Sequence, residues 1–441
     1  MSARDESDRD DRAPQEPRSS RPAALLARWV SVEPGEVTAL LASFAMFFAI
    51  LSAYYIIRPL RDEMGVTLGK DALHRLFTVV FFVMLAAVPL FGFMAARFPR
   101  RRVLPAIYLF FAANLIVFWL VFKIRGSSPV TAATFFVWAS VFNLFVVSLF
   151  WSLMAELWSN GEAKRLYGFI SAGGTAGALS GPLLTKSLIG VAAPLDLLLL
   201  SAALLSVALA AGLILRRERT GSDTSAMHAA GGGILDGAAK VFASPYFFKI
   251  ALYVFLANIA GTFFYLEQSR LVGIAITDSA ERVKFFANRD LMVSVATLTI
   301  ELFGTAFVMR RLGVTAALLA LPMTALMGTL ALTSDPSLLV VAAVLAAERV
   351  AAFSLSSPAI KVMYTLTSAD EKYKVQNFVD TVVYRGGDAA SGWIFSAVSG
   401  GAGFAAAATP LIVIPLTLGW LWTARDLGRA HKKRAAVPVQ I

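Results

Sequence analysis

Apolar stretches of about twenty residues or more recur along most of this chain, and that recurrence constrains the fold more than any motif. At 1.5 Å per residue such a stretch crosses about 30 Å of hydrocarbon as an α-helix. Composition agrees. Of the 441 residues 57% are hydrophobic and only 16% charged, against about 25% charged in a soluble domain. The chain therefore reads as an all-α polytopic membrane protein. Its formal net charge of +11 needs no nucleic-acid partner, because much of the basic excess lies in short loops between spans. With no cysteine there is no disulfide, thiol catalysis or thiolate-bound zinc. The three histidines, His74, His228 and His431, are far apart in sequence and lack ligand spacing. No metal, cofactor or enzymatic nucleophile–base constellation is expected.

Twelve spans are expected: 36–58, 73–96, 103–123, 130–157, 165–190 and 195–215, then 246–270, 289–309, 314–333, 338–366, 374–399 and 404–424. Residues 1–35 are a polar, mixed-charge tail, with Ala23–Val32 either a short interfacial helix or the approach to the first span. The Gly-, Ser- and Thr-rich stretch 216–245 is a linker, and 425–441 a basic tail. The division is thus a 36–215 half and a 246–424 half. The basic runs RFPRRR (97–102), EAKR (162–165), RRER (216–219), MRR (309–311), EKYK (371–374) and HKKR (431–434) all fall on one side. That side is expected to be cytoplasmic, with both termini on it.

The halves echo each other. GFMAARFPRRRVLP (92–105) joins spans 2 and 3, as FVMRRLGVTAALL (307–319) joins 8 and 9. NGEAKRLYGF (160–169) and ADEKYKVQNF (369–378) hold matching positions, as do YYIIRPLR (54–61) and FFYLEQSR (263–270). Two pseudo-symmetric six-helix halves are the pattern of the major facilitator architecture, with a substrate site between them near the midplane.

Charges inside spans are costly and usually face a cavity or one another. Arg58 and Arg61 stand three apart at the outer end of span 1, where the positive-inside rule does not explain them. Aligning the ends of spans 1 and 7 on Arg61 and Arg270 sets Arg58 opposite Glu267. That pair is expected either to close an outer gate or to bracket an anion, for which arginine offers a planar two-donor fork. Asp62 and Glu63 read as solvated loop residues, and Pro59 as a kink or stop. In span 10, Lys361 either snorkels or reaches an anion. Tyr364, on the same face, either packs or meets a base or ribose, and Glu348 and Arg349 sit near the outer end. In span 11, Arg385 and Asp388 either pair locally or line the cavity. SAGGTAGALSGP (171–182) in span 5 lacks the Lys-Ser/Thr of a phosphate loop and reads as a tight packing face.

YYIIRPLRD (54–62), LFWSLMAELWSNGEAKRLYGF (149–169) and PAIKVMYTLTSADEKYKVQNFVDTVVYRGGDAASGW (358–393) together resemble the non-mitochondrial ATP/ADP translocases, the nucleotide-exchange carriers of plastids and obligate intracellular bacteria. Arg58, Arg61 and Asp62 occupy that family's Arg-x-x-Lys-Asp positions with arginine for lysine. Lys361, Met363, Tyr364, Lys372, Asp380 and Arg385 match its span 10–11 motif. The chain departs at Val137-Trp138, where the family carries a span 4 glutamate, and at Gly386-Gly387-Asp388, where it carries Gly-Lys-Ser. The resemblance implies exchange of anionic nucleotides across a bacterial inner membrane by a carrier expected to be monomeric. Arg58, Arg61 and Lys361 would hold phosphate and Tyr364 the base or sugar, with Glu267, Arg270, Arg385 and Asp388 completing the site. Two alternatives stand beside it: proton-coupled movement of another organic anion, with Glu267 or Asp388 taking the proton, and a non-transporting scaffold or sensor.

Overall fold

A computed structural model describes residues 32–97, 100–219, 234–400 and 409–435, which are almost wholly helical and contain no β-strand. Most of the N-terminal tail, the 231–233 glycines, the start of the expected twelfth span and the last six residues lie outside the described residues. The first six long helices are α1 (Val37–Leu68), α2 (Lys70–Arg97), α3 (Arg100–Arg125), α4 (Pro129–Leu157), α5 (Asn160–Leu188) and α6 (Leu197–Glu218). A short α7 (Ile234–Ala243) occupies part of the expected linker and packs on the start of α12. Then come α8 (Pro245–Ala275), α9 (Ser279–Phe303), α10 (Val314–Ser334), α11 (Leu338–Ala351, continuing to Met363), α12 (Ala369–Phe378, continuing to Gly400) and α13 (Thr409–Ala435).

Eight of these helices are long and apolar enough to cross a membrane, and α9 with its bent continuation Thr305–Leu312 makes a ninth. The shortfall in α5 and α12 follows from their glycines and polar residues, which face other helices or the cavity. Large apolar side chains such as Phe82, Phe93, Phe110, Met327 and Trp422 point outward, as a lipid-facing surface requires.

The two halves repeat one packing scheme. In the first, α1 packs on α4, α5 and α6, and α3 on α6; in the second, α8 packs on α11, α12 and α13, and α10 on α13. The halves meet where α2 packs on α12 and α5 on α9, with α1 also touching α8 and α9. Ion pairs fix which helix ends lie together. At the basic end Arg165 of α5 binds Glu36 ahead of α1, Arg219 beyond α6 binds Glu162 of α5 at 2.7 Å, and Lys249 of α8 meets Asp426 of α13 at 2.6 Å. At the opposite end the Trp119 indole N–H donates to Asp196 at 2.9 Å.

Several boundaries differ from expectation for local reasons. Helix α1 runs through Pro59 to Leu68, so Asp62 and Glu63 are buried helix residues rather than a solvated loop. Helix α9 begins at Ser279, capped by Asp278, whose side chain accepts from the Glu281 amide. The expected start at 289 followed hydropathy, which the charges of 278–290 depress. Residues 425–435 continue α13 instead of forming a tail.

The small-residue run of α5 does pack tightly. A Cβ on Gly173 would stand 2.5 Å from the Phe44 carbonyl oxygen, and one on Gly181 would stand 2.6 Å from Tyr55 Cβ. One on Gly177 would collide with the Phe48 carbonyl oxygen. Three glycines at four-residue spacing thus let the α5 and α1 backbones touch, which is how helices gain contact in a solvent as apolar as their own side chains. Substituting Gly177→Leu should cost about 1–3 kcal/mol through overpacking and lower the unfolding midpoint in detergent. Gly168→Leu, on the same helix but with open space around it, should leave the midpoint in place.

Candidate functional site

A cavity of about 680 Å³ lies between the halves. Its lining comes from both, with Tyr54, Tyr55, Arg58 and Arg61 on α1, Phe136 and Asn143 on α4, and Tyr253, Asn258 and Thr262 on α8. Glu348, Arg349, Lys361 and Tyr364 come from α11, and Asp380, Tyr384, Arg385 and Asp388 from α12.

The helices that face the cavity are irregular there. Helix α11 contains a π-turn at Ala352–Ser356, and α12 one at Val379–Val383. Pro358 explains the first, because a proline at that position cannot donate to the Ser354 carbonyl. The Thr305 hydroxyl donates to that carbonyl instead, at 2.7 Å. It can reach because α9 bends by 45° at Gly304 before continuing. Such breaks in regular helix persist in membranes where they line a polar cavity or are buried in protein.

One wall of the cavity ends in a buried cluster of charge. Arg289 binds Asp62 at 2.6 Å and Asp290 at 2.8 Å. Arg61 binds Asp62 at 2.9 Å, Arg58 approaches Asp290 at 3.5 Å, and Arg349 approaches it at 3.9 Å. The Tyr265 hydroxyl donates to Asp62 at 3.1 Å, and Arg289 donates to the Gln268 side-chain oxygen at 2.7 Å. In this cluster four guanidinium groups share two carboxylates, drawn from α1, α9 and α11. It is also incompletely bonded. Asp290 Oδ2, Arg349 Nη1 and Gln268 Nε2 are buried without a hydrogen bond. Nearby, Arg282 at the start of α9 sits 3.8 Å from Glu63 and ties the same helix ends together.

Of the eight residues singled out from the sequence, six line the cavity: Arg58, Arg61, Lys361, Tyr364, Arg385 and Asp388. Arg385 and Asp388 pair locally at 3.2 Å, and the Thr262 hydroxyl donates to Asp388 at 2.7 Å. Tyr364 is buried, with its hydroxyl unpartnered. Lys361 makes no hydrogen bond or ion pair among the described residues, although Glu301 and Asp380 lie near enough to sense its charge.

The other two, Glu267 and Arg270, are not in the cavity lining. They bond each other across one helical turn at 3.0 Å. The expected Arg58–Glu267 pair is therefore replaced by Arg58–Asp290, and Glu267 is neutralised within its own helix. Asp290, Arg289 and Gln268 were missed by the sequence reading. Arg289 and Asp290 stood at the very start of the expected span 289–309, and the Asp278 cap, with Val283, Phe286 and Ala287 at helical spacing, was the signal that would have extended α9 back and set them inside it; Gln268, within the expected span 7, carried no such signal.

Breaking the cluster on one side leaves buried positive charge uncompensated, a loss of about 3–5 kcal/mol. Asp62→Asn should therefore lower the unfolding midpoint sharply. Asp62→Asn with Arg289→Gln should cost less than the two single changes added together, by more than about 1 kcal/mol in a double-mutant cycle.

No family model matches the sequence, and no curated protein does. Solved structures do. A bacterial homologue of the human lysosomal transporter Spinster, inward-facing and unoccupied, superposes with a TM-score of 0.59 at 15% identity, over 92% of this chain and 100% of that one. The nucleoside transporter NupG gives 0.60 at 11% identity, over 91% and 99%. A bacterial homologue of the iron transporter ferroportin, in an inward-facing state, gives 0.61 at 14% identity, also over 91% and 99%. At these identities the likeness is one of fold alone: this chain shares the all-α polytopic membrane architecture of those transporter structures.

Proposed function

We propose that the protein is a secondary transporter that exchanges anionic nucleotides of the ATP/ADP type across a bacterial inner membrane, by alternating access of a site between residues 36–215 and 246–424. The observation that carries this reading is the imbalance at one wall of the cavity, where Arg58, Arg61, Arg289 and Arg349 share only Asp62 and Asp290. Buried cations in excess of their counter-ions are expensive, and an anion in the cavity would offset that cost. Arg58, whose carboxylate contact is the long one to Asp290 and whose guanidinium otherwise lies against the Tyr55 ring, is the arginine of the cluster best placed to turn to a phosphate. Lys361, which makes no hydrogen bond or ion pair among the described residues, supplies a further cation to the lining from α11.

Aromatic residues complete the argument for a base-bearing anion over inorganic phosphate. Tyr54, Tyr55, Tyr253, Tyr364 and Tyr384 all line the space, and the free Tyr364 hydroxyl can bond a ribose or base edge. That the fold also serves a nucleoside transporter fits this substrate class. In this proposal the basic end is cytoplasmic, following the distribution of lysine and arginine in the loops. The Asp62–Arg289 cluster then closes the outer side while the cavity opens inward. A bound anion would compete with Asp290 for Arg58 and so weaken that closure, which couples occupancy to reorientation.

Purified protein in vesicles loaded with ADP should take up labelled ATP, and vesicles with an empty lumen should take up far less. Absence of uptake by folded protein in both would overturn the nucleotide assignment. Arg58→Ala and Lys361→Ala should each raise the apparent KM about tenfold or more, the loss of one charge-assisted hydrogen bond. Glu267→Gln should leave it unchanged.

A further inference from the structure

Glu348 faces the cavity and is only 6% exposed, yet it makes no hydrogen bond or ion pair among the described residues. Every element around it withholds a counter-ion. On its own helix, Arg349 turns to Asp290, and Lys361 lies thirteen residues further along. On α8 the chain passes as bare backbone at Gly261, where an added Cβ would stand 3.1 Å from Glu348 Oε1. The ionisable group of α8 that senses Glu348 is Tyr253, whose hydroxyl is engaged with Ser356 at 2.8 Å. On α9, Arg289 and Asp290 are bound in the cluster, and Glu301 adds only negative charge. Helix α10 carries no ionisable side chain. On α12, Tyr384 senses Glu348, while Arg385 is committed to Asp388. The two carboxylates that sequence favoured as proton acceptors, Glu267 and Asp388, each have an arginine instead.

We propose that Glu348 is a proton-binding site of the transport cycle. It takes a proton from hydronium in the cavity water, stays neutral while an anion shares the cavity, and returns the proton to water when the cavity opens to the other side. The physical reason is twofold. An ionised carboxylate without a partner is costly in this surrounding, and a negative Glu348 would repel the anion that the arginine cluster attracts. The neutral acid removes both penalties, so proton and anion bind together. This inference rests on the cavity accepting an anion, and it identifies one residue as the proton's carrier.

The test uses the full chain in vesicles and two independent readouts. Infrared difference spectra between acid and alkaline buffer should contain the carbonyl band of a buried protonated carboxyl. Glu348→Gln should lack that band, and Glu348→Asp and Asp388→Asn should keep it. With an empty lumen and an inward proton gradient of about one pH unit, labelled ATP uptake should rise towards a ceiling of about tenfold over that without the gradient. In Glu348→Gln the ratio of the two should fall to one. A band that survives in Glu348→Gln overturns the proposal, as does a wild-type protein that exchanges ATP but ignores the gradient. If no ATP moves at all, the nucleotide assignment fails by itself, and the presence or loss of the infrared band still decides Glu348.

Discussion

Positive charge buried beyond its counter-charge is the constraint on which this structure turns. Asp62 and Asp290 each serve more than one arginine, and those arginines come from three helices of both halves. Such an arrangement holds α1, α9 and α11 together at one side of the cavity while leaving two donors, Arg349 Nη1 and Gln268 Nε2, and one acceptor, Asp290 Oδ2, without a hydrogen bond. Full neutralisation would make the contact permanent. With counter-charge left in deficit, the contact can be exchanged for a better one, as the proposed alternating access would require. In the proposed function the same excess would favour an anion, and the aromatic lining a base-bearing one.

The sequence revealed the helices because each apolar stretch must satisfy its own backbone. It also pointed to several of the charged residues of the cavity lining, since charges within spans have few places to go. Arg58, Arg61, Lys361 and Arg385 all line the cavity, although Arg385 also makes the local pair with Asp388 that the sequence left open. It failed where charge was dense enough to resemble a loop. Asp62 and Glu63 follow a proline and read as solvated, yet α1 continues past them and buries both. Arg289 and Asp290 lie deep in α9, but the charged run before them hid the helix start. The Arg58–Glu267 pairing failed for another reason. Aligning two repeats by their terminal arginines assumed equal roles, whereas Arg270 lies one turn from Glu267 and neutralises it locally. Pairing between halves depends on how they are docked, and a repeat within one chain carries no record of that.

The departures from regular helix share a logic. The π-turns in α11 and α12 and the bend in α9 all lie in the second half, and two of the three line the cavity. Thr305 shows how the cost is contained, because its hydroxyl satisfies the very carbonyl that Pro358 leaves free. The first half has long, uninterrupted helices on the facing side, and its α1 keeps its course even through Pro59. One wall of the cavity is thus stiff and the other articulated.

The glycine contacts between α5 and α1 give that stiffness a direction. Backbones that touch at Gly173, Gly177 and Gly181 leave no compressible side chains between them. Helix α5 also packs on α9, where the Ser294 hydroxyl donates to the Ala178 carbonyl at 3.3 Å. A displacement of α5 along that seam would therefore carry α1 with it, and with α1 the guanidinium groups of Arg58 and Arg61.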